Sequence, residues 1–545
     1  MSASRRGIAI ATSQKPVTKK SATAFVEIDG ASLDCKKVSR LVRSSSLIRL
    51  AQKATERMIR SQKVVLKQAK IKPVYGVNTG FGPMVRHIIS GEKLEELQLN
   101  LLRSHAMGMG EPVRAEFARA AMLLRVNTLA CGYSGVSPEL AKKFTEHFNA
   151  GISAIVPEHG AVGTSGDLVQ LAHVALPLIG EGEVLYQGKR MPAAEALSAA
   201  GISAHVLGPK EGLSLINGTG MMTGIAALLA TDAGRLLDIV LMAGACELEL
   251  VHGFTDVLDA VLHQARPHKG QINVAKRMRA ILKGSKMLTV RESKTSKIEI
   301  NNSTRETPEL LQEVYSLRCI PQIMGPMYEA LEVAEHTINV EINGVTDNPI
   351  VDVDRELCLH GGNFHGDYVA TAVDHLKISL VKLSLLSERR INFFLNKSVN
   401  NTFPPFLNLV QPGLTMALQG LQFVATSTAA HNQSLGYPHS LHTISTNGDN
   451  QDVVSMGTDA ALIASRVLEN AYIVAAIELV TLSQAAEFMK ADFSKLSQSS
   501  RDLIAFVREY VPPVYEDRSL APELAALLNA LHSHDTLPFL NNLPA

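Results

Sequence analysis

The sequence predicts a mostly α protein: a long, central antiparallel helical bundle joined to a mixed N-terminal domain. Three observations predict it. Val369, Val373, Leu376, Leu380 and Leu383 recur at spacings of 4, 3, 4 and 3, and Met456, Ala460, Ile463 and Val467 at 4, 3 and 4. Each series lays one apolar stripe along a helix. No proline stands between Pro438 and Pro512, so one or two very long helices can run there. Strand-type alternation is rare.

Taken in order, residues 1–24 hold Arg5, Arg6, Lys15, Lys19 and Lys20 and no acid. The apolar stretch GIAIA is too short for a secretory core, so a disordered basic tail is expected. Residues 25–205 read as a mixed domain with short helices and glycine-rich loops, and VEIDG is its clearest strand. From 206 to 515 the long helical periodicity defines the central bundle. AYIVAAIELVTL is interrupted by Glu478 and reads as a buried core helix; no run of about 18 uninterrupted apolar residues occurs. Pro512-Pro513 ends the last long helix, and residues 516–545 form a C-terminal helical segment. No internal repeat of fixed period is present.

Composition narrows the function. The chain has 545 residues, 46% hydrophobic and 19% charged, which suits a soluble protein with a large core. Lys+Arg is 53 against Asp+Glu 52, which argues against a nucleic-acid coat or a polybasic membrane binder. Five cysteines without a CxxC exclude a disulfide framework or zinc ribbon and suggest a reducing, cytoplasmic setting. Trp is absent and aromatics are 5%, so a stacking platform for single-stranded nucleic acid is not expected.

Several motifs carry little. GVNTGFG and GMGEP are glycine-rich but fit neither the P-loop nor the dinucleotide fingerprint. The pairs His360 and His365, His439 and His442, and His532 and His534 lack the spacing of a metal site, and no metal is expected. No GxSxG elbow occurs.

The segment Gly160-Ala161-Val162-Gly163-Thr164-Ser165-Gly166-Asp167-Leu168 is different. Alone, TSGD is a turn or helix cap, with a carboxylate able to accept backbone N–H bonds. In its surroundings it resembles the prosthetic-group loop of the aromatic amino acid ammonia-lyases, the family of histidine, phenylalanine and tyrosine ammonia-lyases and related aminomutases. The resemblance runs from about residue 25 to 515. Tyr75-Gly76-Val77-Asn78-Thr79-Gly80-Phe81-Gly82 matches the family's mobile tyrosine loop. Leu215-Ile216-Asn217-Gly218-Thr219 matches its asparagine motif, and Tyr315-Ser316-Leu317-Arg318-Cys319 its tyrosine–arginine motif. Val345-Thr346-Asp347-Asn348-Pro349, Gly361-Gly362-Asn363-Phe364-His365-Gly366 and Asn450-Gln451-Asp452 match three more, all in family order.

The resemblance implies a fumarase/aspartase-like fold, a homotetramer with composite active sites, and no external cofactor. It implies that the turn Thr164-Ser165-Gly166 cyclises into a 4-methylidene-imidazol-5-one. The nitrogen of Gly166 would attack the Thr164 carbonyl carbon, and two waters would leave. Gly166 has no Cβ to obstruct the fold, Ser165 supplies the departing hydroxyl, and Thr164 replaces the usual Ala without removing a reacting atom.

The implied chemistry is non-oxidative elimination of ammonia. A β-hydrogen is hardly acidic and an amine leaves poorly, so attachment of the amine to an electrophile helps. Tyr75 would act as the base; a phenol, with a reference pKa of about 10, needs help to do so, and helix N-termini could supply it. Gly76, Gly80 and Gly82 suit a loop that opens and closes over substrate. Arg318 would hold the substrate carboxylate as a bidentate fork. Asn217 and Tyr315 would orient the prosthetic group and amine. Phe364 would pack near the ring system, and Asn450 and Gln451 would complete the polar wall.

Arg103-Ser104-His105 lies where the family selects the substrate ring. Ser104-His105 occurs in histidine lyases and in a bacterial tyrosine-acting group. Gln451 stands where histidine lyases tend to carry a glutamate. Together His105 and Gln451 favour L-tyrosine, giving trans-4-coumarate and ammonia, because an imidazole can bond the phenol hydroxyl. The pieces GFGPM, NLLRSHAMGMGEP and HGGNFHGDY look most like bacterial tyrosine ammonia-lyases. The alternatives are a tyrosine or phenylalanine aminomutase, a phenylalanine lyase, a histidine lyase, and a helical scaffold without activity.

Overall fold

A computed structural model of the chain describes residues 25–291, 312–533, 537–541 and 543. The basic tail expected over 1–24 lies outside the described residues, as does His534. Two compact units emerge. The first runs up to Gly224 and takes in Val340–Gly366 and Ile444–Val454; the second holds Ile225–Asn339, Asp367–Thr443 and the chain from Ser455. The sequence placed a boundary at 205, whereas the units divide at Gly224, and two later segments return to the first unit. The cause is local: residues just before and inside the next long helix bond to partners in the first unit, as described below.

The first unit begins with β1 (Val26–Ile28), α1 (Cys35–Arg43), β2 (Ile48–Leu50), α2 (Gln52–Ala69), α3 (Leu94–His105) and β3 (Met109–Pro112). Then come α4 (Ala115–Ala130), α5 (Pro138–Ala150), β4 (Ser153–Ala154), β5 (Pro157–His159), α6 (Leu168–Ala175), β6 (Glu183–Tyr186), β7 (Lys189–Pro192), α7 (Ala193–Ala200) and α8 (Glu211–Ile216). The strand expected at VEIDG is β1, which pairs in parallel with β2, Val26 opposite Ile48. β3 pairs with β5, and β4, β6 and β7 form a three-stranded antiparallel sheet. α5 shows how sequence sets an element. Ser137 caps it by accepting from Leu140 N–H, Pro138 opens it, and Gly151 closes it at φ +74. α4 is buried around almost its whole surface, including Arg125 and Asn127, so it is the central helix of this unit.

The second unit is helical: α9 (Gly220–Leu250, entering from the first unit), α10 (Ala260–Gln264), α11 (Lys269–Ile281), α12 (Tyr315–Arg318) and α13 (Ile320–Ile342). A small hairpin of the first unit, β8 (Ile350–Asp352) with β9 (Leu357–Leu359), interrupts the series. The second unit continues with α14 (Asp367–Leu395), α15 (Lys397–Asn400), α16 (Gln419–Leu435), α17 (Gly457–Phe488), α18 (Gln498–Tyr510) and α19 (Ala521–His532).

The stripe of Val369, Val373, Leu376, Leu380 and Leu383 is buried on α14, each side chain contributing about 1.5–3 kcal/mol by burial. α16 runs antiparallel to α14. The Thr426 hydroxyl donates to Glu388, the Asn432 amide to Ser384, and Lys377 to the Tyr437 carbonyl. The stretch read as a core helix lies in α17. By length and composition α17 could cross a membrane, but 72% of its most apolar window is buried. Met456, counted in its stripe, instead stands just before α17 at φ +52. Glu478 interrupts the apolar run because it meets a buried partner. The Arg390 Nε lies 2.6 Å from Glu478 and 3.1 Å from Glu247, and all three side chains are fully buried. Burial pushes both carboxyl groups up, against the pull of Arg390.

Candidate active site

The turn Thr164-Ser165-Gly166 lies between β5 and α6 in the first unit. Gly166 has φ +71, and a Cβ there would stand 2.0 Å from the Gly218 carbonyl oxygen. That same oxygen accepts the Asp167 N–H at 2.8 Å. The Asp167 carboxylate in turn accepts the N–H groups of Met221 and Met222, each at 2.9 Å, in the first turn of α9. Asp167 therefore does cap a helix, but a distant one rather than α6, which begins at the next residue. The turn thus lies at the start of α6 and is tied to the start of α9, two positive helix ends that favour negative charge.

A rigid frame backs this arrangement. Gly218 has no room for a side chain: its Cβ would meet the Thr346 carbonyl oxygen at 2.1 Å and Arg125 Nη1 at 2.3 Å. The buried Arg125 donates to that Thr346 oxygen at 3.2 Å and to the Ser214 carbonyl. Lys210 pairs with Asp347 at 3.0 Å, also buried, and Ser214 donates to the same carboxylate. Burial pushes Lys210 and Arg125 below their ordinary values, and Asp347 opposes the shift in each. Thr219 donates to Glu341 at 2.5 Å. These bonds hold the start of α9 in the first unit.

Polar side chains surround the turn. The Asn217 amide N–H donates to the Ser165 carbonyl at 3.3 Å, while its own oxygen is buried without a hydrogen-bond partner. The Thr164 hydroxyl donates to Gln451 Oε1 at 2.5 Å, and Gln451 Nε2 donates to the Ser165 hydroxyl at 3.0 Å. Gln451 is held by a tight hairpin whose Thr446 and Gln451 exchange backbone hydrogen bonds, with Asn447, Gly448 and Asp449 all at positive φ. Gly366 N–H donates to the Gly163 carbonyl at 3.0 Å, which ties the segment containing Phe364 to the turn. A cavity of about 280 Å³ opens beside these groups, lined among others by Thr164, Gly166, Gln451, Asn447 and His105.

His105 ends α3. Its Nδ1 lies 2.9 Å from the Leu101 carbonyl and 3.1 Å from the Ser104 hydroxyl. A carbonyl can only accept, so Nδ1 carries the hydrogen and a neutral ring offers Nε2 as an acceptor. Just beyond, Gly108 N–H donates to His173 at 3.0 Å, a ring that burial keeps below its ordinary pKa. Tyr75 is half-buried, and its phenol oxygen accepts the Gly82 N–H at 3.1 Å, a bond that a phenolate would use more strongly. Its own N–H donates to His360 at 3.3 Å. Gly82 lies against the Asn447 side chain, so the tyrosine loop reaches a residue that lines the cavity.

Asn450 is exposed, in the hairpin that holds Gln451. Tyr315 and Arg318 belong to α12 in the second unit. There the Arg318 guanidinium sits 4.7 Å from the centre of the Tyr315 ring and borders a cavity of about 620 Å³. Its Nε is buried without a hydrogen-bond partner among the described residues, and Tyr315 is 69% exposed. Among the described residues no group of three or more potential metal ligands occurs.

Sequence reasoning passed over Asn447 and Arg125, and it weighed His360 only as half of a histidine pair, not as the partner of the Tyr75 N–H. Asn447-Gly448-Asp449 reads as an ordinary turn, and only the fold reveals that it faces the cavity. Arg125 lies in an apolar helix, and a charge in that position was the available signal for a buried partner.

Comparisons with known proteins show the family to which the chain belongs. Residues 33–509 match the family model described as aromatic amino acid lyase. The chain is 42% identical over 456 residues to a histidine ammonia-lyase of Geobacillus kaustophilus, covering 84% of this chain and 87% of that one. It is 41% identical over 462 residues to a tyrosine ammonia-lyase of Cupriavidus metallidurans, covering 84% and 86%. The crystal structure of a tyrosine aminomutase from Streptomyces globisporus superposes with a TM-score of 0.89 at 36% identity, covering 93% of this chain and 97% of that one. The helical fold is of the fumarase/aspartase-like class.

Proposed function

This chain belongs to the aromatic amino acid lyase family, and on that premise we propose that it eliminates ammonia from L-tyrosine to give trans-4-coumarate. The carbon–nitrogen lyase class follows from the family; the substrate is our reading. The observation that carries it is the first unit's cavity, which the turn shares with an imidazole whose free nitrogen is an acceptor. A phenol hydroxyl can donate to that nitrogen. A phenylalanine ring leaves it without a partner, which disfavours phenylalanine.

The turn fits closure into a 4-methylidene-imidazol-5-one. Gly166 is bent at a φ that suits glycine, and the Ser165 carbonyl, which would remain as the ring oxygen, already has a donor in Asn217. Once closed, the ring supplies an electrophilic methylidene carbon to the substrate amine. The chain's own residues do the rest. Asn217 holds the Ser165 oxygen and draws electron density toward it. Tyr75 takes the β-proton on its phenol oxygen, where the Gly82 N–H stabilises the anion that must form first. Arg318 binds the substrate carboxylate, Tyr315 orients the amine, and Phe364 and Asn450 complete the walls.

Arg318 and Tyr315 fall in the second unit, and Tyr315, Tyr368 and Phe423 expose large aromatic surfaces there. Such surfaces suit a homotetramer with composite sites, since obligate assemblies bury large apolar interfaces. The five cysteines are free, as a cytoplasmic protein would keep them.

A second reading is histidine as substrate, favoured by the relatives named histidine ammonia-lyase. Incubation with tyrosine, phenylalanine and histidine separately, with products and ammonia quantified, separates these readings. Coumarate with equal ammonia from tyrosine alone is the expected result. Urocanate would replace tyrosine by histidine, β-tyrosine with little ammonia would make the enzyme an aminomutase, and no product at all would sink the lyase.

A further inference from the structure

Thr164 is the one position of the turn whose side chain survives ring closure unused. In this chain that side chain has a partner. Its hydroxyl donates to Gln451 Oε1 at 2.5 Å, and the same amide donates from Nε2 to the Ser165 hydroxyl at 3.0 Å. Thr164 and Gln451 both line the cavity that also holds His105. We propose that Thr164 is a specificity-determining residue that acts through Gln451: its hydroxyl occupies the amide oxygen and so fixes the amide with its N–H2 end as the group offered to the substrate ring.

The argument rests on which donors and acceptors remain. Closure of the turn removes the Ser165 hydroxyl as water. The oxygen that Gln451 Nε2 now serves is then gone, while the Thr164 bond stays. The amide is left with its oxygen engaged and its hydrogens free to serve a substrate. His105 is fixed in the opposite sense, because the Leu101 carbonyl takes the Nδ1 hydrogen and leaves Nε2 as an acceptor. The cavity therefore offers one donor and one acceptor. A ring hydroxyl can donate to the one and accept from the other. An unsubstituted ring takes neither, and each unpaired buried group then costs binding. Without the Thr164 hydroxyl the amide can turn over, and it offers an oxygen as readily as its hydrogens.

The inference rests on the ring-hydroxylated substrate proposed above and adds how this chain would select it. Its test compares kcat/KM for tyrosine and phenylalanine in the full-length protein and in Thr164→Val, Thr164→Ser and Gln451→Leu, and in Thr164→Val combined with Gln451→Leu. Intact mass, two waters below the encoded value, selects samples in which the turn has closed. Binding of coumarate against cinnamate to Ser165→Ala, with and without Thr164→Val, gives the same ratio independently of turnover. We expect Thr164→Val to lower the tyrosine preference by about tenfold, the loss of one hydrogen bond's worth of orientation. Thr164→Ser should keep the preference, and Thr164→Val should have no further effect once Gln451 is Leu. An equal effect of Thr164→Val with and without Gln451 would mean that shape alone acts and would overturn the proposal, as would an unchanged preference in Thr164→Val. Absence of product from every substrate in the unaltered protein is a different failure, that of the lyase reading itself.

Discussion

The backbone of Gly166 passes so close to that of Gly218 that a Cβ on the first would lie 2.0 Å from the carbonyl oxygen of the second. Gly218 in turn is pinned by Thr346 and Arg125 on its other side, so neither strand of this contact can retreat. Gly166→Ala is therefore expected to displace the turn and block its closure. The check is intact mass: the variant should keep both waters that the proposed closure removes from the unaltered chain. A fully closed turn in the alanine variant would show that the contact yields more easily than its geometry implies.

Ser165→Ala removes the departing hydroxyl and leaves the backbone as it is. Ser165 loses one hydrogen bond, from Gln451 Nε2, at a cost of about 1 kcal/mol. The variant should fold with a nearly unchanged melting temperature and lose almost all turnover. Full activity in a folded Ser165→Ala protein would rule out the covalent mechanism.

His105→Phe tests the imidazole. The substitution replaces an acceptor by an apolar ring beside the Thr164 turn. The ratio of kcat/KM for tyrosine over phenylalanine should fall, on the order of 10²-fold or more where a site is built around a hydroxyl. An unchanged ratio would remove His105 from substrate selection.

Arg390 is the countercharge of two buried carboxyl groups in the second unit. Gly244 leaves space for it, since a Cβ there would lie 2.2 Å from Arg390 Nη1. Arg390→Met should cost about 3–5 kcal/mol, because the remaining acids stay buried without a partner. Replacing Glu247 and Glu478 by Gln in the same chain should restore part of the loss. Thermal unfolding measures both, and equal melting temperatures for all three proteins would show that this trio contributes nothing to stability.

His147 makes stability depend on pH. The ring is buried on α5, its two nitrogens have no hydrogen-bond partner, and burial, then Lys143, pushes its pKa down from 6.5 to about 4. Here the unfolded state binds the proton more readily. Stability from this group is therefore whole above about pH 6.5 and is lost as pH falls toward 4, by roughly 3 kcal/mol in the limit. His147→Leu should flatten the fall of melting temperature between those pH values. A slope identical to that of the unaltered protein would assign the acid sensitivity to other groups.

What could be read from the sequence followed a simple division. The α14 stripe was legible because a period of 3.6 survives whatever packs against it. Local chemistry was legible too: Asp167 had the look of a capping carboxylate and is one. Its partner was not, since Met221 and Met222 lie more than fifty residues on. Glu478 looked like an interruption in an apolar run because Arg390 and Glu247 are remote in sequence. The same limit explains the boundary at 205. Composition changes there, but the bonds of Thr219 and Asp167 keep the chain in the first unit up to Gly224. Asn447 escaped notice because a turn sequence says which way the backbone bends and nothing about what it faces.

The route of the chain has a consequence for how the protein comes to life on the ribosome. The first unit is not complete when its first 224 residues have been made; it waits for Val340–Gly366 and then for Ile444–Val454. Gln451 and the Gly366 N–H, both bonded to the turn region, arrive only in those late instalments. A nascent chain that has already emitted Thr164-Ser165-Gly166 thus lacks the contacts that shape it. The closure proposed for that turn is therefore expected only late in synthesis, and a product truncated before residue 444 should keep both waters.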